Sequence, residues 1–335
     1  MVNLFVRIKK RVAYTVSSFQ SDARFSVWYA LLRIFHELGG RIGFRKLSDW
    51  AYKMKSQWIS DYLRTNLQPV LDVYVNDGDA GSYQENTPIW VCWWTGAETA
   101  PALVKQCIRS IRANAGNHPV HVIDRDNYLQ FLEIPEYMLE KVSSGKMGLA
   151  HLADYIRVVL IAQHGGLWLD ATICCADVIP EEYFEIPLFT CRNRLESSSY
   201  FSKMQWTTFA LAGWKGNVFF RCLKTAFEDY WQHQEAAVDY LFFDYLIALI
   251  RDHIPVANKL LEQVPPNNPH RDDLQAAMNA TLGAEKWHEV VQPDTVFYKL
   301  SWRETYAKDT ADGEESIYAY FLRKAFDVLD REDRK

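Results

Sequence analysis

Between residues 151 and 172 the chain reads His151-Leu-Ala-Asp154-Tyr-Ile-Arg157, then an apolar run, then Gly165-Gly166-Leu-Trp168-Leu-Asp170-Ala-Thr172. Asp154 and Arg157 stand three apart, so a helix would bring acid and base onto one face, offset from the apolar stripe of Leu149, Leu152, Ile156 and Val159. Gly165 and Gly166 permit a left-handed cap and a sharp turn from helix into strand. Asp170 falls near the end of an apolar strand-like run, where a carboxylate is costly unless it meets a cation, a sugar hydroxyl or another donor. Each feature alone has an ordinary alternative. An Asp and Arg three apart are commonly a solvated surface pair, and Gly-Gly is commonly just a turn; their succession carries the information.

These side chains need a scaffold, and the surrounding rhythm supplies one. Ile89 to Trp94 reads as a strand, Pro101 to Ala115 as a helix opened by proline, Val120 to Ile123 as a second strand, Leu149 to Gln163 as a helix and Leu167 to Ile173 as a third strand. Further strands are expected at Leu188 to Cys191 and Thr207 to Leu211, and amphipathic helices at about 217–234 and 239–252. Alternation of this kind predicts an α/β fold with a mostly parallel central sheet covered on both faces. Ligands in such sheets bind beyond the carboxyl ends of the strands, which puts Thr95, Asp124 and Asp170 near one rim.

The front of the chain has a different character. Residues 1–66 carry 12 Lys+Arg against 4 Asp+Glu, a net charge of +8, while the remainder carries 25 against 38, or -13. Three short helices are expected here: Leu4, Phe5, Ile8 and Val12 with Arg7, Lys9, Lys10 and Arg11 between them; Trp28, Leu31, Leu32, Phe35 and Leu38, stopped by Gly39 and Gly40; and Leu47, Ala51, Met54, Trp58 and Tyr62. They read equally as a helical cap on the main domain or as an interfacial anchor on an anionic membrane. The polar stretch Asn76 to Pro88 reads as a linker. The expected division is therefore a basic helical segment at 1–76, a linker at 77–88 and a catalytic domain at 89–335.

The constellation as a whole resembles the signature of Asp-X-Asp sugar-transferring enzymes, especially the bacterial capsular polysaccharide synthesis family, and more distantly the yeast initiating mannosyltransferases and the clostridial glucosylating toxins. In those families a Ser-Asp-X-X-Arg helix leads through Gly-Gly to an aromatic-X-Asp-X-Asp strand end. The likeness covers about residues 89–175, including Ile89-Trp-Val-Cys-Trp93-Trp94-Thr-Gly96, and continues more loosely through Asp239 to Tyr245 and Tyr298-Lys299-Leu300. It implies a GT-A-like (Rossmann-like) domain that moves a sugar from a nucleoside diphosphate, with retention, to a saccharide or lipid-linked acceptor. Carried over by residue, Trp93 stacks on the nucleotide base with Leu149 on its other face, Asp154 holds sugar hydroxyls, Arg157 meets sugar and diphosphate, and Asp170 holds the ribose and a metal's water shell. Trp168 is the aromatic of the motif, and Lys299 is the late basic residue brought to the diphosphate. Asp244 is the candidate for contacting the acceptor. The implied cofactor is Mn2+ or Mg2+ at Asp170 and Thr172. Here the chain departs from the pattern, because Thr172 stands where the second carboxylate is expected and hard cations prefer charged oxygens.

The rest of the chain sets bounds. With 49% apolar and 24% charged residues over 335 positions, it can bury a substantial core. Six cysteines lie at no disulfide-framework or metal spacing, which predicts free thiols in a reducing compartment. No run of 18 apolar residues and no signal peptide are apparent, so the expected place is the cytoplasm, peripheral on the inner face of the membrane. The acidic body argues against nucleic acid as a partner. A non-catalytic sugar-nucleotide-binding scaffold and a protein-modifying glycosyltransferase remain the alternatives.

Overall fold

The computed structural model describes residues 18–193, 201–282 and 286–324. The first expected helix, around Leu4 to Val12, lies outside them. Its centre is a five-stranded sheet of β1 (Ile89–Cys92), β2 (Val120–Ile123), β3 (Gly166–Leu169), β5 (Leu188–Thr190) and β6 (Ala210–Gly213), ordered β2-β1-β3-β6-β5. β1 pairs in parallel with β2 and β3, while β6 runs antiparallel to both β3 and β5, so only one of the five strands opposes the rest. β4 (Ile173–Cys175) leaves this sheet to pair antiparallel with β7 (Phe297–Lys299).

Strand periodicity divides the core in two, because successive side chains point to opposite faces. Trp90, Trp168 and Leu211 enter one apolar cluster; Ile89, Val91, Leu167, Leu169, Ala210 and Ala212 enter the other. On the first face lie α1 (Val27–Arg41), α2 (Arg45–Tyr74), α4 (Leu149–His164), α5 (Val218–His233) and α6 (Phe242–His253). On the second lies α3 (Ala102–Ala113), with Leu274, Met278, Trp287, Phe297, Ile317 and Phe321 from later in the chain. α4 is apolar nearly all round, with Leu152 and every residue from Tyr155 to Ala162 buried, as a central helix requires.

The N-terminal part departs from expectation in three ways. Its third helix is not short: α2 runs 30 residues and buries Ser48, Ala51, Lys55, Ile59, Leu63, Leu67, Val70 and Leu71, leaving the expected Leu47 and Met54 exposed. Gly39 does not stop α1. It lies inside the helix, where a Cβ would come within 3.0 Å of the Ser48 backbone nitrogen, so it permits close packing of α1 on α2; the turn is made by Gly43, with φ +83°. The stretch 77–88 does not separate two cores either. Asp77 Oδ2 accepts from Arg221 Nη2 at 2.6 Å, Ser82 N donates to Lys215 O at 2.9 Å, and Tyr29, Ile59 and Leu63 share one cluster with Ile156 and Phe227.

Candidate active site

β1, β2 and β3 end at one rim, and the residues just past β1 and β3 help build the site. After β1 comes Trp93, whose backbone N–H donates to Ile123 O at 3.0 Å. Cys92, Trp93, Asp154, Arg157, Trp168, Asp170, Thr172, Asp244 and Lys299 all line one open cleft of about 480 Å3. Thr95 and Asp124 share the rim but do not line the cleft; Asp124 instead accepts the backbone N–H groups of Asp126 and Asn127, shaping its own loop. Leu149, expected against the nucleotide base, is about half exposed on the first turn of α4 and does not line the cleft, which Ala150 and Ala153 of that helix do.

Asp170 is not on a strand. The run expected as one strand from Leu167 to Ile173 breaks at Leu169, and Asp170-Ala171-Thr172 forms a tight turn closed by Ile173 N donating to Asp170 O at 2.9 Å. That turn, not strand alternation, puts the Asp170 carboxylate and the Thr172 hydroxyl side by side. At the start of β3, Gly165 and Gly166 take φ of +73° and +97°, and a Cβ on Gly166 would lie 2.1 Å from Pro88 O, so only glycine lets β3 approach β1 here.

Charges converge on this turn. Asp170 Oδ1 accepts from Arg157 Nη2 at 3.0 Å and from Trp168 Nε1 at 2.9 Å, and Oδ2 accepts from Lys299 Nζ at 2.8 Å. Arg157 also lies 3.1 Å from Asp154 and sits over the rings of Trp168 and Phe243, at 4.8 and 5.3 Å. Burial pushes the Asp170 carboxyl up, but Lys299 and Arg157, with hydrogen bonds from Lys299 and Trp168, overcome it and hold it at about 2. Trp168 is largely buried in the cleft wall, its indole N–H on Asp170 and its ring under Arg157. Cys92 is no nucleophile, since burial pushes its thiol up to about 12.

The sequence profile of the capsular polysaccharide synthesis protein family matches residues 42–321. The chain belongs to that family. It is a glycosyltransferase, and its fold is the α/β class expected from the sequence, with a mostly parallel central sheet. Among solved structures, one described as the PaToxG glycosyltransferase aligns at 13% identity over 63% of this chain and 85% of its own, with a TM-score of 0.35. No curated protein matches significantly.

In this family member the cleft has walls that sequence reasoning did not reach. Trp302 lines it and meets Trp93 edge to face, ring centroids 5.8 Å apart; Arg303, beside it, forms no ion pair among the described residues. A Trp-Arg pair three and four positions after Lys299 was a signal available in the chain. Asp244, in the first turn of α6, accepts from Trp206 Nε1 at 2.9 Å. Burial raises its carboxyl to about 6, against the Trp206 hydrogen bond, with Asp154 adding to the rise and Arg157 opposing it. Tyr240, 77% exposed, stands at the rim on a loop tied to α2 through Lys55 Nζ and Asp239 Oδ2 at 2.8 Å.

Proposed function

We propose that the cleft takes a nucleoside diphosphate sugar and passes the sugar, with retention, to a saccharide or lipid-linked acceptor in surface polysaccharide synthesis. The observation that carries this reading is the meeting of Arg157, Lys299, Asp154 and Asp170 at the carboxyl rim of a parallel sheet, beside a Trp93–Trp302 wall. Two cations there can hold a diphosphate, and the carboxylates can accept from sugar and ribose hydroxyls. As the anomeric carbon–oxygen bond breaks, its electron pair leaves on the diphosphate, an acceptor hydroxyl oxygen bonds to the anomeric carbon, and the hydroxyl's proton passes to the departing diphosphate. The test is a panel of UDP-, GDP-, CDP- and ADP-sugars, scored by rise in melting temperature, by donor consumption and by the anomeric configuration of the product. Binding without consumption across an acceptor panel would make the chain a scaffold, and an inverted anomer would refute retention.

We further propose that the α1–α2 hairpin seats the enzyme on an anionic membrane surface, where a lipid-linked acceptor lies. Support comes from its turn and outer face, where Trp28, Phe35, Leu38, Ile42, Phe44, Leu47, Trp50 and Met54 are exposed, Ile42 and Phe44 each by 64%, and Trp28 and Trp50 touch edge to face across the hairpin. Arg45, Lys46 and Lys53 on the same stretch form no ion pair among the described residues. Each basic side chain near an anionic surface contributes about 1 kcal/mol. No helix among the described residues is long and apolar enough to cross a membrane. Because α2 shares the enzyme's core, deleting the hairpin would unfold the protein. The discriminating variants are Ile42→Ser with Phe44→Ser, and Lys46→Gln with Lys53→Gln, in co-sedimentation with phosphatidylglycerol-rich and neutral vesicles. Unchanged sedimentation of both variants, or indifference to lipid charge, would reduce the hairpin to a structural cap.

A further inference from the structure

A divalent cation is the group this fold class implies at the Asp-X-Asp turn, and Asp170 and Thr172 are the residues expected to hold it. The donor set does not suit one. Lys299 Nζ donates to Asp170 Oδ2 at 2.8 Å and to Thr172 Oγ1 at 2.7 Å, so an ammonium lies where a bridging metal would lie. Asp170 Oδ1 is meanwhile occupied by Arg157 and Trp168, leaving little of the carboxylate's capacity of about four acceptor sites. Among the described residues no group of three or more His, Cys, Asp or Glu gathers into a metal-holding set.

The position of Lys299 is built into the backbone. It is the last residue of β7, directly opposite Ile173 in the β4–β7 pair, and Leu300 N donates to Thr172 O at 3.0 Å on the next rung. A flexible surface lysine would need no such ladder. The charge arithmetic also closes: two carboxylates around a divalent cation are neutral together, and one carboxylate, one hydroxyl and one ammonium are neutral together as well. Exchanging Asp for Thr removes one negative charge, and exchanging metal for lysine removes one positive charge. A metal added beside Lys299 would be a second cation at contact distance, with a single carboxylate to share.

We propose that Lys299 replaces the divalent cation in this enzyme, and that donor binding and turnover are metal-independent, with Lys299 and Arg157 neutralising the diphosphate. The inference rests on the glycosyltransferase reading above. Its test uses the full chain and titration calorimetry with UDP, GDP, CDP and ADP, in EDTA and in MnCl2, together with the electron paramagnetic resonance signal of free Mn2+ as a direct count of bound metal. The expected result is equal nucleotide affinity in both buffers within about twofold and no Mn2+ taken up by the protein with nucleotide. Lys299→Ala should weaken nucleotide binding at least tenfold, and Lys299→Arg should restore part of it. The double variant Lys299→Ala with Thr172→Asp should recover binding only with Mn2+ and should then remove Mn2+ from the free signal. Nucleotide binding that appears only with Mn2+ in the unaltered protein overturns this inference and leaves the transferase reading intact. Binding of no nucleotide in either buffer overturns both.

Discussion

Asp244→Asn separates stability from transfer in a pH-dependent way. The carboxyl is held at about 6 against an ordinary 3.8, chiefly by burial, with the charge of Asp154 adding to it. The native state therefore prefers the protonated form. Below about pH 4 the group is neutral in folded and unfolded chains alike and costs nothing; between about 4 and 6 the cost of charging it grows; above about 6 it is fully present. At about 1.4 kcal/mol for each pH unit, that cost reaches at most about 3 kcal/mol, and partial solvent contact brings it nearer 1–2. Asparagine is neutral at every pH, and its amide oxygen can still accept from Trp206 Nε1. Asp244→Asn should thus match the unaltered protein near pH 4 and exceed it above pH 7, by about 1–4 °C in Tm for a chain of this size. Melting curves at pH 4, 5, 6, 7 and 8 measure this, and transfer assays at pH 7 should show the same variant impaired with its acceptor. A stability difference independent of pH, or an asparagine variant less stable at pH 8, would refute the assignment of a half-buried carboxylate with a raised pKa.

Three other perturbations have definite expected outcomes. Trp93→Ala should weaken donor binding about ten- to a hundredfold, since an aromatic face on a base contributes about 1–3 kcal/mol; unchanged affinity in calorimetry would pass that role to Trp302 alone. Gly166→Ala should lose cooperative folding, because its Cβ would meet Pro88 O at 2.1 Å and its φ of +97° is itself strained for alanine. The readout is soluble yield and the sharpness of the thermal transition. Lys55→Met should cost about 3–5 kcal/mol by leaving Asp239 buried without its partner, and Asp239→Asn in that background should recover much of it in a double-mutant cycle.

Much of the site was legible because its residues are close along the chain. Asp154 and Arg157 share a helix face by spacing alone, and the two glycines announce the turn into β3, so the local half of the constellation needed no tertiary information. The alternating strands and helices from Ile89 onward were equally local, and their ends fell within a few residues of the observed ones. What the tertiary structure decided was everything that depends on a distant partner. The apolar run through Leu167 and Ile173 could not reveal that it breaks at Asp170, because β4 is drawn out of the sheet by β7, more than a hundred residues later. That same pairing carries Lys299 into the Asp170–Thr172 turn and brings Trp302 against Trp93. The N-terminal stripes were visible as apolar periodicity, but periodicity does not say which of two apolar faces is buried. In α2 the Ala51, Ile59 and Leu63 face meets α5 and α6, while Leu47, Trp50 and Met54 are left to solvent. Spacing along a helix is a property of the chain, whereas burial and charge pairing belong to surfaces that exist only after the chain has folded.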